Sequence, residues 1–99
     1  MRTCLDRLIA LSHMDGPSVR NEAEYVASRL EVCRIDGRIS NDAYLDAGII
    51  QGALDMIANH IEMGVEQSEV QRLIREQVER AIRLEQKHPG IDKAVEEGR

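Results

Sequence analysis

Residues 40–63 read SNDAYLDAGIIQGALDMIANHIEM, and this stretch decides the fold. Ala43, Tyr44, Ala47, Ile50, Leu54, Ile57 and Ile61 recur at steps of mostly three and four, the period of an α-helix. A second row, Ile49, Ala53, Met56, His60 and Met63, repeats those steps beside the first. At about 100° per residue the two rows together cover roughly 160° of helix surface. One wall of a core needs less, so the spacing predicts a helix that touches partners on two sides. It lies mid-sequence with helical patterns on either side, which makes it the central helix of a bundle.

The flanking segments support that reading. Upstream, Ile35-Asp36-Gly37-Arg38-Ile39-Ser40 is a turn: Asp-Gly ends a helix and Ser40 or Asn41 caps the next. Before it, Val19, Ala23, Val26, Ala27, Leu30 and Cys33 form a narrow stripe on a second helix. Arg20, Glu22, Glu24, Arg29 and Glu31 lie mostly off that stripe. Ser18 is its expected cap, after a break at Met14-Asp15-Gly16-Pro17. The first helix is expected from Thr3, its cap, to about His13. Downstream of Met63-Gly64, Ser68-Glu69-Val70-Gln71 fits a capping box. Val70, Leu73, Ile74, Val78, Ala81 and Ile82 form the stripe of a fourth helix running to about Lys87, with Leu84 to one side. Glu76/Arg80 and Glu79/Arg83 are spaced as i,i+4 ion pairs. His88-Pro89-Gly90 stops this helix. The expected architecture is therefore an all-α bundle of four main helices. It forms one domain over residues 1–90, with residues 91–99 as a short tail that either frays or adds one helical turn after Asp92.

Composition narrows the class. Ninety-nine residues hold one core, and a chain of this size buries only about 60–65 % of its unfolded surface. The core must be aliphatic, because Tyr25 and Tyr44 are the only aromatic residues. The net charge of −5 argues against a phosphate-backbone binder, which needs a basic face. The charge is uneven: from Ile39 to Glu66 there is no Lys or Arg, yet Asp42, Asp46, Asp55, Glu62 and Glu66 are present. An acidic stripe on the central helix is expected. Cys4 and Cys33 lack CxxC spacing and read as reduced, buried thiols. No apolar run approaches the roughly 18 residues of a membrane span, and the N-terminus has no signal-type apolar region. A cytoplasmic protein without membrane contact is expected.

The candidate sites fail one by one. Asp36-Gly37-Arg38-Ile39-Ser40 resembles the middle of an EF-hand loop. That register places Val32, Arg34 and Ala43 where oxygen ligands belong, so calcium is excluded. Glu85-Gln86-Lys87-His88 has the Glu-x-x-His spacing of di-iron bundles, which need two copies and further inward carboxylates. His13 and His60 have no metal-ligand neighbours, and His60 reads as a hydrogen-bonded histidine at the core edge. The second helix, turn and central helix have the order of a helix-turn-helix, but the recognition helix carries only acidic charge. Asp42, Asp46 and Asp55 lack the extra acids and the cation of a Mg²⁺–phosphate site.

Gly48 and Gly52 remain. Two glycines inside a helix cost roughly 1 kcal/mol each relative to alanine. They lie one turn apart, away from the Ile50/Leu54/Ile57 row, where bare backbone permits a close helix crossing. The residues thus favour a non-enzymatic adaptor, regulator or inhibitor that acts through protein–protein contacts. It needs no cofactor or metal, binds no nucleic acid directly, and self-associates as a homodimer or higher homo-oligomer through the central helix. The expected interface is Asp42, Asp46, Gly48, Gly52, Asp55, Glu62 and Glu66. Two alternatives use the same carboxylates. One is an acidic mimic that occupies a nucleic-acid channel, as an anti-defence protein of a mobile element would. The other is a small helical enzyme or ligand-binding bundle that takes Mg²⁺.

Overall fold

A computed structural model describes residues 1–99 and contains five helices and no strand. They are α1 (Arg2–Ile9), α2 (Gly16–Ile35), α3 (Asn41–Glu62), α4 (Gln67–Lys87) and α5 (Ile91–Glu96). α3 is the longest and packs between α2 and α4, so the two-sided central helix is present. Ala43, Ala47, Ile50, Leu54 and Ile57 from the first apolar row are buried. Val19, Ala23, Val26, Leu30 and Cys33 of α2 are buried with them, whereas Ala27 is exposed. On α4 the buried line is Val70, Ile74, Gln77, Ala81 and Leu84, at alternating steps of four and three. Leu84 is therefore inside and Ile82 outside, the reverse of the expected stripe.

The joints differ from expectation because tertiary contacts choose the caps. Asp15, not Ser18, caps α2, its carboxylate accepting from the Ser18 amide at 2.8 Å. α4 starts at Gln67, one residue ahead of Ser68, and has no side-chain cap. The Gln67 amide group instead pairs with the backbone of Met14, accepting from its N–H at 2.9 Å and donating to its carbonyl at 2.8 Å. That pairing ties the α1–α2 joint to the head of α4. α1 ends at Ile9 rather than His13. Gly37 and Gly64, at φ +75° and +89°, close α2 and α3 by one device. Arg38 N–H returns to Cys33 O at 2.9 Å and Val65 N–H to His60 O at 3.1 Å. On α4 the ion pairs join Arg72 to Glu69 and Glu76, not Glu76 to Arg80 or Glu79 to Arg83. Arg72 stands one turn from each glutamate and reaches both.

The largest correction concerns residues 91–99. They form no loose tail: Ile91 and Val95 of α5 are buried in the common core. Polar contacts hold the short helix in place. Glu85 accepts from the Gly90 and Asp92 amides and so satisfies the start of α5. At its far end the carbonyls of Ala94 and Val95 accept from Arg29 Nε at 3.0 Å and Tyr25 Oη at 2.6 Å. Glu22, expected off the apolar stripe, is buried between Arg7 at 3.1 Å and Arg99 at 2.6 Å. Arg99 also lies over the Tyr25 ring, 4.0 Å from its centroid. Thr3 is no cap; its hydroxyl donates to Asp92 at 2.6 Å. Burial alone would raise the Asp92 carboxyl, but bonds from the terminal amine and Thr3 hold it below its ordinary value. Cys4 and Cys33 are free and buried, and burial pushes the Cys4 thiol up to about 12.

Candidate protein-docking site on α3

Since α2 and α4 cover the inward side of α3, the other side is left to water. Leu45, Ile49, Gly52, Met56, Asn59 and Met63 follow one another there at steps of four, three, four, three and four. On a helix these positions fall on one line. Leu45 is 59 % exposed, Ile49 60 %, Met56 44 % and Met63 72 %, so the line is an uncovered apolar face. The second apolar row predicts contact on a further side of the helix, beyond one wall of the core. Ala53 and His60 are half-buried, but Ile49, Met56 and Met63 look outward. Leu45, absent from both rows, belongs with them.

Gly48 and Gly52 sit in the same face. A Cβ at either position would meet nothing within 4 Å, so neither glycine is required by a contact inside this chain. Both lower the surface between Leu45, Ile49 and Met56. A groove lies on each side of the ridge. Toward α4 a groove of about 430 Å³ is lined by Ile49, Ile50 and Leu84, with Arg80, Arg83 and Lys87 along it. Toward α2 a smaller one, about 150 Å³, lies between Ala27, Leu30, Leu45 and Gly48.

The five carboxylates do not form one stripe. Asp46 points toward α4, where Lys87 Nζ stands at 2.9 Å and His88 Nε2 at 2.8 Å. The bonds from His88 and Lys87 hold its carboxyl below the ordinary 3.8. Glu62 points the other way and pairs with Arg20 of α2 at 3.1 Å. Asp55 accepts from Gln51 at 2.9 Å. Glu66 lies beyond the helix, at the N-cap position of α4. Asp42 is exposed in the first turn. The 39–66 window has no cation of its own, but α2 and α4 bring cations to it, and that fact is invisible within the window. No group of three or more His, Cys, Asp or Glu side chains converges in the way a metal site requires. Glu85 and His88, the Glu-x-x-His pair, diverge to α5 and to Asp46. His60 is half-buried with no protein hydrogen-bond partner, unlike its expected bonded state. No helix is long and apolar enough to cross a membrane.

Comparison with known protein families, with curated proteins and with solved structures returns no match. The residues themselves carry the functional reading.

Proposed function

We propose that this chain is a non-enzymatic protein–protein interaction module, an adaptor, regulator or inhibitor, whose contact surface is the outward face of α3. One observation supports it above the others. Leu45, Ile49, Met56 and Met63 form a continuous exposed apolar line over two bare glycines, whereas the other exposed large apolar side chains, Leu11, Val32, Ile35 and Ile82, are spread over three segments. Contiguous apolar surface on a soluble domain marks a place where another macromolecule docks. The face is suited to a helix: a ridge about 27 Å long by helical rise, low at Gly48 and Gly52, with a groove on each flank. Asp42 and Asp55 border it. Asp46 and Glu62 serve the fold through Lys87, His88 and Arg20, so they contribute less to a partner than an isolated acidic stripe would.

A photo-crosslinking residue tests this directly. Placed at Met56 it should give discrete adducts with protein, whether another copy or a component of the native host's extract. Placed at Arg75, an exposed position on α4, it should give few. Equal yields at the two positions, or none at Met56, would remove the reading.

A further inference from the structure

We infer that the outward face of α3 is covered by a second copy of this chain, packed antiparallel across a twofold axis, with Met56 of each copy seated over Gly52 of the other. The inference rests on the docking reading above and names its occupant.

The spacing of the face comes first. Steps of four, three, four, three and four from Leu45 to Met63 are those of a helix–helix seam, on a side where this chain offers no second helix. The face is also complementary to itself. A twofold axis midway between Gly52 and Met56 sets those two residues against each other, twice. The same axis brings Leu45 against Met63, and Ile49 against Asn59. Each protruding Met56 meets a position where a Cβ would have open space, which fits a knob entering a hole. A twofold contact of this kind closes, so it makes a dimer rather than a filament.

Charge on α4 points the same way, independently. Glu69, Leu73, Glu76, Arg80, Arg83 and Lys87 form one line on that helix at the same alternating steps. Arg80, Arg83 and Lys87 border the groove beside Ile49, so this edge of α4 adjoins the apolar face. Its first half is acidic and its second half basic. Asp46 bonds Lys87 at one end, and nearer the middle Ile49 and Ile50 share a groove with Arg80, Arg83 and Leu84. The midpoint of the α3 line is therefore level with the midpoint of the α4 line, between Glu76 and Arg80. A twofold axis across antiparallel helices carries each flank onto the same flank of the copy with its direction reversed. Each α4 then runs beside its counterpart with the acidic half against the basic half. Glu76 comes to the second copy's Arg80, and Glu69 to its Lys87. Within one chain Arg80 has only a 3.4 Å bond to Gln77, and Arg83 makes no ion pair, so these guanidiniums are available. A parallel twofold would set α4 against the α2 side, and this match would not arise.

Sedimentation velocity on the full chain reads the outcome. Wild type should sediment at twice 11.2 kDa. Gly52→Leu, which has room inside the single chain, should keep its helical circular dichroism and become monomeric. Arg80→Glu and Glu76→Arg should each weaken the dimer roughly tenfold or more by placing like charges together. The two combined should restore it toward wild type. A monomeric wild type, a Gly52→Leu variant with unchanged mass, or a double variant no tighter than the single ones would overturn the arrangement. If wild type is monomeric but a crosslinker at Met56 still captures a different protein, the docking reading stands and the second copy falls. If it captures nothing, both fall.

Discussion

The two sides of α3 are alike in sequence and opposite in fate. The inward side carries Ala47, Ile50, Leu54 and Ile57, and the outward side Leu45, Ile49, Met56 and Met63. The first is sealed beneath α2 and α4, while the second faces water. Two features separate them. The inward line includes Ala43, Ala47 and Ala58, whose small side chains bring α2 and α4 close. The outward line places its smallest residues, Gly48 and Gly52, where nothing in this chain approaches. Apolar character alone therefore does not mark the core. A helix that is apolar on two sides has more to bury than one small bundle covers.

Substitution should split the two sides cleanly, and Leu54→Ala should have the largest effect. A fully buried leucine cut to alanine costs about 2–5 kcal/mol, a large share of the roughly 5–10 kcal/mol such a domain holds. Chemical denaturation would report it, and a loss under about 1 kcal/mol would mean that this side tolerates a cavity. On the outward side, Ile49→Ser with Met56→Ser should shift unfolding of the isolated chain by only about 0.5 kcal/mol while abolishing adducts from a crosslinker at Met63. A large loss of stability at a concentration too low for self-association would show that the ridge belongs to the fold.

The α5 seam offers a second contrast, since polar contacts do there what apolar packing does at α3. A Cβ at Gly98 would stand 2.6 Å from Arg29 Cδ and 2.8 Å from Tyr25 Oη. Gly98→Val should therefore push both side chains off the carbonyls of Ala94 and Val95, at a cost of about 1 kcal/mol. Faster amide exchange in α5 but not in α3 would check it.

The smallest effect expected is at Asp46. Its carboxyl is lowered in the folded state, so folding binds fewer protons there and its stabilisation is present above the ordinary 3.8. That stabilisation is lost as pH falls through the range below it. Asp46→Asn should thus be slightly less stable than wild type at neutral pH, and the gap should narrow as pH falls below the ordinary 3.8. Denaturation curves at several pH values would show this. A gap that still widens as pH falls below 3.8 would contradict the role given to Lys87 and His88.

The legibility of these features followed their range along the chain. α3, the stripe of α2 and the glycine-closed turns were readable because each depends on residues within one or two turns. The heads of α2 and α4 are not legible, because Asp15 competes with a plausible Ser18 and because Gln67 is fixed by Met14, far away in sequence. α5 is not legible as a packed helix, because its six residues hold only Ile91, Ala94 and Val95 as apolar positions, too few for a periodic signal. Tyr25, Arg29 and Glu85, which secure it, come from other helices. The acidic stripe dissolved for the same reason: Arg20, Lys87 and His88 arrive from outside the window. The oddity of Gly48 and Gly52 was visible in the sequence, since two central glycines are costly in a helix. The α4 charge order was not, because α4 had first to be placed beside the outward face.

The four methionines allow the central claim to be tested in one spectrum. Met1 and Met14 are buried, and Met56 and Met63 lie on the outward ridge. Each ε-methyl gives a separate signal in ¹³C-labelled protein, and a water-soluble paramagnetic agent broadens the signals that solvent can reach. If the outward face of α3 is covered by a second copy at high protein concentration, Met56 and Met63 should stay as sharp as Met1 and Met14, and broaden on dilution or in Gly52→Leu. Strong broadening of Met56 and Met63 at every concentration, with Met1 and Met14 untouched, would contradict it.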